Sequence, residues 1–322
     1  MQSFRELSRL FEERTFAQQF PEKPERLYQA AEYILSLGGK KIRPVLVLMA
    51  NQLFGNLNSN SFYAANAIEL FHNFTLIHDD IMDRAPVRRS KPTVHKKFDE
   101  PTALLAGDVM LVKAYEELNK IDINFLHEIF ELFNKTAKEV CEGQQLDLDF
   151  EKRETVSMDE YLEMISLKTS VLVGCCLQMG AILGGAGKGT QQHLYNFGKN
   201  LGIAFQIQDD YLDAFGDTEK TGKTAGGDIL ANKKTCLYLH ALENADKTDR
   251  NYLIKAYSGE GDADKINKVL SLFKKYNSDE WVGELKQKYY ETAIHHLNET
   301  AVISKNKEQL FHFAAQLMQR EF

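Results

Sequence analysis

Apolar residues recur along this chain at helical spacing. Leu27, Ala30, Ala31, Ile34 and Leu35 keep the i, i+3, i+4 rhythm of a buried helix face, and Gly38-Gly39 behind them reads as a stop. Residues 2–19 are amphipathic, Ile42 to Phe54 is a strongly apolar run, and residues 62–83 predict a long helix. Segments 101–119, 123–147, 158–183, 190–215, 227–244, 248–257, 263–276, 279–297 and 303–321 continue the same period. Strict period-two alternation is nowhere sustained. The pattern predicts an all-α fold, and with no linker, repeat or low-complexity segment it predicts a single domain over residues 1–322. The prolines agree. All 6 lie at or before Pro101, and proline breaks helix interiors.

Charge and cysteines narrow the setting. Lys and Arg number 39 against 46 Asp and Glu, a net charge of −7, which argues against general nucleic-acid binding. The 4 cysteines (Cys141, Cys175, Cys176, Cys236) show no C-x-x-C pair and no zinc spacing, so they read as buried free thiols in a reducing cytoplasm. The N-terminus MQSFRELSRLFEERTF is charged and helical in pattern, unlike a signal peptide. No run of 18 apolar residues predicts a transmembrane helix.

Two helix patterns end in unexpected polarity. Residues 79–83 and 209–213 both read D-D-x-x-D: Asp79, Asp80 and Asp83, then Asp209, Asp210 and Asp213. At about 100° per residue each trio covers one helix face. Three close carboxylates repel one another, and a helix C-terminus disfavours negative charge. A compensating cation is implied. Hard oxygen donors with no matching His/Cys set fit magnesium, which fills its shell with water and phosphate oxygens. Each trio is followed by a basic cluster: Arg84, Arg88, Arg89 and Lys91 after the first, Lys220, Lys223, Lys233 and Lys234 after the second. Arginine forks suit phosphate oxygens; Lys220 and Lys234 read as surface charges. A third basic group, Gly38-Gly39-Lys40-Lys41-Ile42-Arg43-Pro44, opens a helix, where an anion is favoured.

Two motifs are decoys. Gly216 to Thr224 has one residue too many between its glycines for a P-loop and follows a helix pattern, not a strand. Glu69-Leu70-Phe71-His72 is an E-x-x-H, but a di-iron bundle needs two such motifs plus two more glutamates, and only one is present. His72 shares the acidic face of its helix, about 20° from Asp79.

Taken in order, these segments resemble the trans-type isoprenyl diphosphate synthases, the polyprenyl synthetase family. GGKKIRP at 38–44, LIHDDIMDRAPVRRSKPTVH at 76–95, LAGDVML at 105–111, GQQLDL at 143–148, Lys168-Thr169 and FQIQDDYLDAFGDTEKTGK at 205–223 carry the resemblance. It implies a helical barrel, the isoprenoid synthase fold, around a central cavity, and a homodimer. It implies that Asp79, Asp80, Asp83, Asp209, Asp210 and Asp213 bind about three magnesium ions. Arg88, Lys168, Thr169, Gln206, Lys223 and Lys233 would contact the diphosphate of an allylic substrate (dimethylallyl, geranyl or farnesyl). Lys40, Arg43, His72 and Arg89 would hold isopentenyl diphosphate. The family usually has Arg-Arg-Gly where this chain has Arg88-Arg89-Ser90.

Product length follows from the same resemblance. The residues five and four before the first aspartate are Phe74 and Thr75. Thr75 lies about 40° from Asp79 and can face the cavity; the wall role of Phe74 comes from the resemblance alone. A phenylalanine followed by a smaller residue points to a C20 product, with C15 or a longer chain as alternatives. A class I terpene cyclase shares the first acidic motif but carries a different second one. A partner subunit of a heteromeric synthase commonly loses one motif, and both are intact here.

Overall fold

The computed structural model describes residues 1–15, 20–216, 226–260 and 264–319. Lys220 and Lys223 lie outside the described residues, as do the ends of the helices expected over 2–19 and 303–321. The chain sorts into two compact units. The first comprises Met1–Asn134, Cys175–Leu194 and Ala301–Gln309; the second comprises Lys135–Gly174, Tyr195–Thr300 and the stretch from Leu310 onward.

In the first unit α1 (Phe4–Thr15), α2 (Glu25–Ser36), α3 (Ile42–Gln52) and α4 (Ser59–Met82) follow the apolar pattern closely. Every residue from Pro44 to Asn51 of α3 is buried, as expected of a helix that is apolar all round. The Asn58 side chain caps α4 by accepting from the Ser61 amide at 3.0 Å. A two-stranded antiparallel hairpin, β1 (Val87–Arg88) and β2 (Lys91–Pro92), interrupts the helices. It leads through the short α5 (Val94–Lys97) to α6 (Glu100–Leu118), which Asp99 caps and Pro101 opens. α6 packs along α4.

The long α7 (Ile123–Lys152) is followed by α8 (Met158–Ile165), which begins with a Ser157/Glu160 capping box. A single π-helical turn, Ser166–Ser170, joins α8 to α9 (Val171–Leu183), and α10 (Lys188–Phe215) comes next. The helix expected over 227–244 is instead two, α11 (Gly227–Leu230) and α12 (Cys236–Asn244). Asn232, at φ 58° between them, ends the first. α13 (Lys247–Lys255), which runs into a second π-helical segment (Ala256–Glu260), α14 (Lys265–Lys275), α15 (Ser278–Glu299) and α16 (Ser304–Met318) complete the described helices. The second unit's core gathers Tyr161, Ile207, Cys236, Tyr238, Phe273 and Val282.

One sequence expectation needs correction. Cys141 is exposed, unlike the other three thiols, because it falls on the outward face of α7. And the stretch Met158–Leu183 is, among the described residues, the one helix long and apolar enough to cross a membrane by length and composition. Of the 18-residue window that passes this test, 72% is buried inside the protein.

Candidate active site

In the first unit the acidic trio sits on the closing turn of α4. The Arg84 amide donates to the Ile81 carbonyl at 3.2 Å and the Ala85 amide to the Asp80 carbonyl at 3.0 Å. With Arg84 at φ 50° this is a Schellman stop, with arginine where glycine is usual. The chain then reverses through the hairpin. Its two turn residues, Arg89 and Ser90, have φ 52° and 59°, the signature of a type I′ turn. Ser90 therefore occupies the left-handed conformation that the usual glycine would take without strain.

The hairpin folds Arg88 back over the trio. Arg88 Nε and Nη2 donate to the two oxygens of Asp80, each at 2.8 Å, a bidentate fork. The Asp80 side chain is only 2% exposed. Asp79 is half-buried and Asp83 exposed. Arg89 donates to the Gly38 carbonyl and so ties the hairpin to the glycine-lysine turn. That turn delivers Arg43 to His72, with Arg43 Nη1 and His72 Nε2 3.1 Å apart. Burial, then the nearby Arg43, Arg89, Arg88 and Lys41, push the His72 pKa well below its usual value. His72 is therefore neutral, accepts at Nε2 and keeps Nδ1–H as a donor.

Lys41, read from sequence only as part of the basic group at the glycine-lysine turn, is buried. Its Nζ meets Glu69 Oε1 at 2.8 Å, with the two side chains 3% and 7% exposed. The Asn73 amide donates to that same oxygen at 3.1 Å. The E-x-x-H decoy is thus a counter-charge inside a basic cluster. On the same helix the Thr75 hydroxyl donates to the His72 carbonyl at 2.8 Å, and Phe74 is half-buried against Phe71 and His78.

In the second unit the π turn carries Lys168 and Thr169. Such turns put an extra residue into a helix and recur at functional sites. α7 crosses it closely. A Cβ on Gly143 would lie 2.2 Å from the Lys168 amide nitrogen, so the glycine of GQQLDL is required by the approach of two backbones. Lys168 Nζ donates to Asp147 at 2.5 Å. The Thr169 hydroxyl donates to the Gln206 side-chain oxygen Oε1 at 3.4 Å, and Gln206 Nε2 donates to Asp210 Oδ1 at 3.0 Å. The Tyr161 hydroxyl donates to Asp210 Oδ2 at 2.6 Å.

Asp210 therefore has neutral donors on both oxygens and is itself buried. Burial, reinforced by Asp228 and Asp209 and only partly opposed by Tyr161 and Gln206, pushes its pKa up to about 7. The Asp228 amide donates to Asp213 Oδ2 at 2.8 Å. Lys234 is a correction. Rather than a surface charge it is 8% exposed and donates to the Phe150 carbonyl at 2.7 Å, because the open end of α7 offers it an unpaired acceptor. Asp147, Glu151, Asp210, Asp228, Lys168, Lys233 and Lys234 share one cavity of about 100 Å³.

Tyr161, Asp228, Lys41 and Glu69 were not singled out from sequence as site residues. Tyr161 had a signal. It lies seven residues before Lys168, about 20° away around a helix. Among the described residues no three His, Cys, Asp or Glu side chains are gathered as a ready metal cage. The donor set nevertheless fits a hard cation: carboxylate oxygens, some buried, with neutral partners on Asp210.

Comparison with known proteins agrees with this chemistry. The polyprenyl synthetase family model matches residues 24–273, running through segments of both units. A short chain isoprenyl diphosphate synthase of Methanothermobacter thermautotrophicus is 38% identical over 299 residues, 92% of this chain and 91% of that protein. A crystal structure of a geranylgeranyl pyrophosphate synthase superposes with a TM-score of 0.94 at 43% identity, covering 100% of both chains. A polyprenyl synthase from Caulobacter crescentus CB15, solved with calcium and isoprenyl diphosphate, superposes at 0.86 with 26% identity over 99% of this chain and 94% of that one. The helical fold is the isoprenoid synthase fold of these neighbours, and the chain belongs to the polyprenyl synthetase family.

Proposed function

We propose that this chain is a magnesium-dependent trans-prenyltransferase. It condenses isopentenyl diphosphate with an allylic diphosphate into a short all-trans prenyl diphosphate, C20 first. The observation that carries this reading is the pair of complete acidic helix ends, each built into a basic setting: Arg88 on Asp80, and Lys168, Lys233 and Lys234 around Asp210. The C20 assignment draws support from the geranylgeranyl pyrophosphate synthase that this chain matches along its whole length. Residues 1–322 are taken as one catalytic domain.

Asp79, Asp80, Asp83, Asp209, Asp210 and Asp213 would hold the magnesium ions, about three by the family resemblance. When bound they neutralise charge developing on the leaving diphosphate. Arg88, Lys168, Thr169, Gln206, Lys223 and Lys233 bind and orient the allylic diphosphate. Lys40, Arg43, His72 and Arg89 bind that of isopentenyl diphosphate, with neutral His72 donating from Nδ1 while Arg43 holds its other nitrogen. The allylic C–O bond breaks with its electrons leaving on the diphosphate. The isopentenyl double bond attacks the cation, and the released diphosphate takes the proton, so no side-chain base is required. Phe74 and Thr75 bound the growing chain. Exposed Leu104, Leu105 and Val112 on α6 support a homodimer, and four free thiols suit the cytoplasm.

Asp79→Ala and Asp209→Ala should each lower turnover about 10²- to 10³-fold in a magnesium-dependent condensation assay. Near-wild-type kcat in either variant would contradict the reading.

A further inference from the structure

The LAGDVML segment has no role in the chemistry above, yet its glycine occupies a telling position. Gly107 on α6 lies directly under the ring of His78 on α4. A Cβ there would stand 2.3 Å from His78 Nε2 and 2.5 Å from its Cδ2. His78 Nε2 is 3.1 Å from the Leu104 carbonyl. A carbonyl only accepts, so Nε2 carries the proton and donates. Asp108 Oδ1 stands 3.8 Å from the same nitrogen. α6 thus fixes both the seat and the orientation of this imidazole.

The imidazole in turn meets Phe74. Their ring centroids are 4.7 Å apart at 67°, edge to face. Phe74 leans on Phe71 at 5.6 Å, and the buried Phe71 packs edge-on against Phe133 at 5.2 Å. Phe74 is held between its i−3 and i+4 neighbours on one helix face. A helical phenylalanine has two main χ1 wells, and an immobilised ring at i+4 selects between them.

We propose that His78, seated on Gly107, is a positioning residue for product length: it fixes the Phe74 ring and thereby how far the prenyl chain grows. The inference rests on the reading of Phe74 as the wall that stops elongation.

Four variants test it, F74A, H78A, G107A and H78A/G107A, each incubated with isopentenyl diphosphate, an allylic diphosphate and magnesium, with the products sized. F74A should move the main product to a longer chain. H78A and G107A should each raise the ratio of the next-longer product to the wild-type product about three- to tenfold, the size of effect an aromatic pair commands. The double variant should show no more than the larger single effect, because both changes act through one contact. Length is read from the product and not from the rate, so slowed turnover does not blunt the test. If H78A proves too slow to size, G107A reports on the same contact. Longer products from F74A beside wild-type lengths from H78A and G107A would overturn the role of His78 and leave the Phe74 wall standing. Wild-type lengths from F74A would overturn the wall itself, and the inference with it.

Discussion

The ends of α4 and α10 carry the same D-D-x-x-D, yet the second aspartate of each is held by opposite means. Asp80 is gripped on both oxygens by the guanidinium of Arg88. Asp210 is gripped on both oxygens by uncharged donors, the Tyr161 phenol and the Gln206 amide. The first trio brings its own counter-charge, carried in on a hairpin. The second retains a buried acid whose charge is unfavourable until a cation arrives. Identical sequence motifs therefore need not be equivalent sites. The partners that the fold brings to each one decide where its compensation comes from.

The sharpest way to break this contrast is to remove the partner at each end. Arg88→Met leaves Asp80 buried beside no guanidinium and should destabilise the protein by about 3–5 kcal/mol in denaturant unfolding. Tyr161→Phe should cost only about 1–2 kcal/mol, since Asp210 keeps Gln206 and can hold a proton instead. Equal losses would erase the distinction.

Titration gives the next effect. The Asp210 pKa is raised when folded, to about 7 from 3.8. The proton is bound more tightly in the folded state, so the stability it confers is present in full below about pH 4 and is lost as pH rises through about 7. Against Asp210→Asn, the metal-free wild type should lose about 4 kcal/mol across that window, and magnesium should reverse the loss. Parallel pH profiles in urea unfolding would contradict the buried-acid account.

The smallest effect concerns the hairpin that serves only the first trio. Ser90→Gly relieves a positive φ at the second turn position and should raise stability by about 1 kcal/mol. An unchanged melting temperature would show that Ser90 is not strained there.

Sequence periodicity located the helices well because most bury an apolar face, while α3 is apolar all round. The interruption at Asn232 was invisible, since 227–244 remains apolar at helical spacing on both sides of a turn set by backbone conformation. The carboxylates and most of the cations around them were legible, as unneutralised charge at the end of an apolar helix is costly. Their partners were less so. Nothing in Lys41 or Lys234 marks it as buried, because burial depends on a distant acceptor, Glu69 in one case and the Phe150 carbonyl in the other. Glu69 looked like half of a metal motif, and only the approach of the glycine-lysine turn reveals it as a counter-ion. Asp228 gave no sign, since its link to Asp213 runs through a backbone amide.

Sizing the products of the purified protein given isopentenyl diphosphate, magnesium and, separately, dimethylallyl, geranyl or farnesyl diphosphate decides the assignment. The expected main product is a C20 all-trans diphosphate, with none formed once the metal is chelated. Failure to join the two substrates, or release of a cyclised hydrocarbon in place of a prenyl diphosphate, would contradict it.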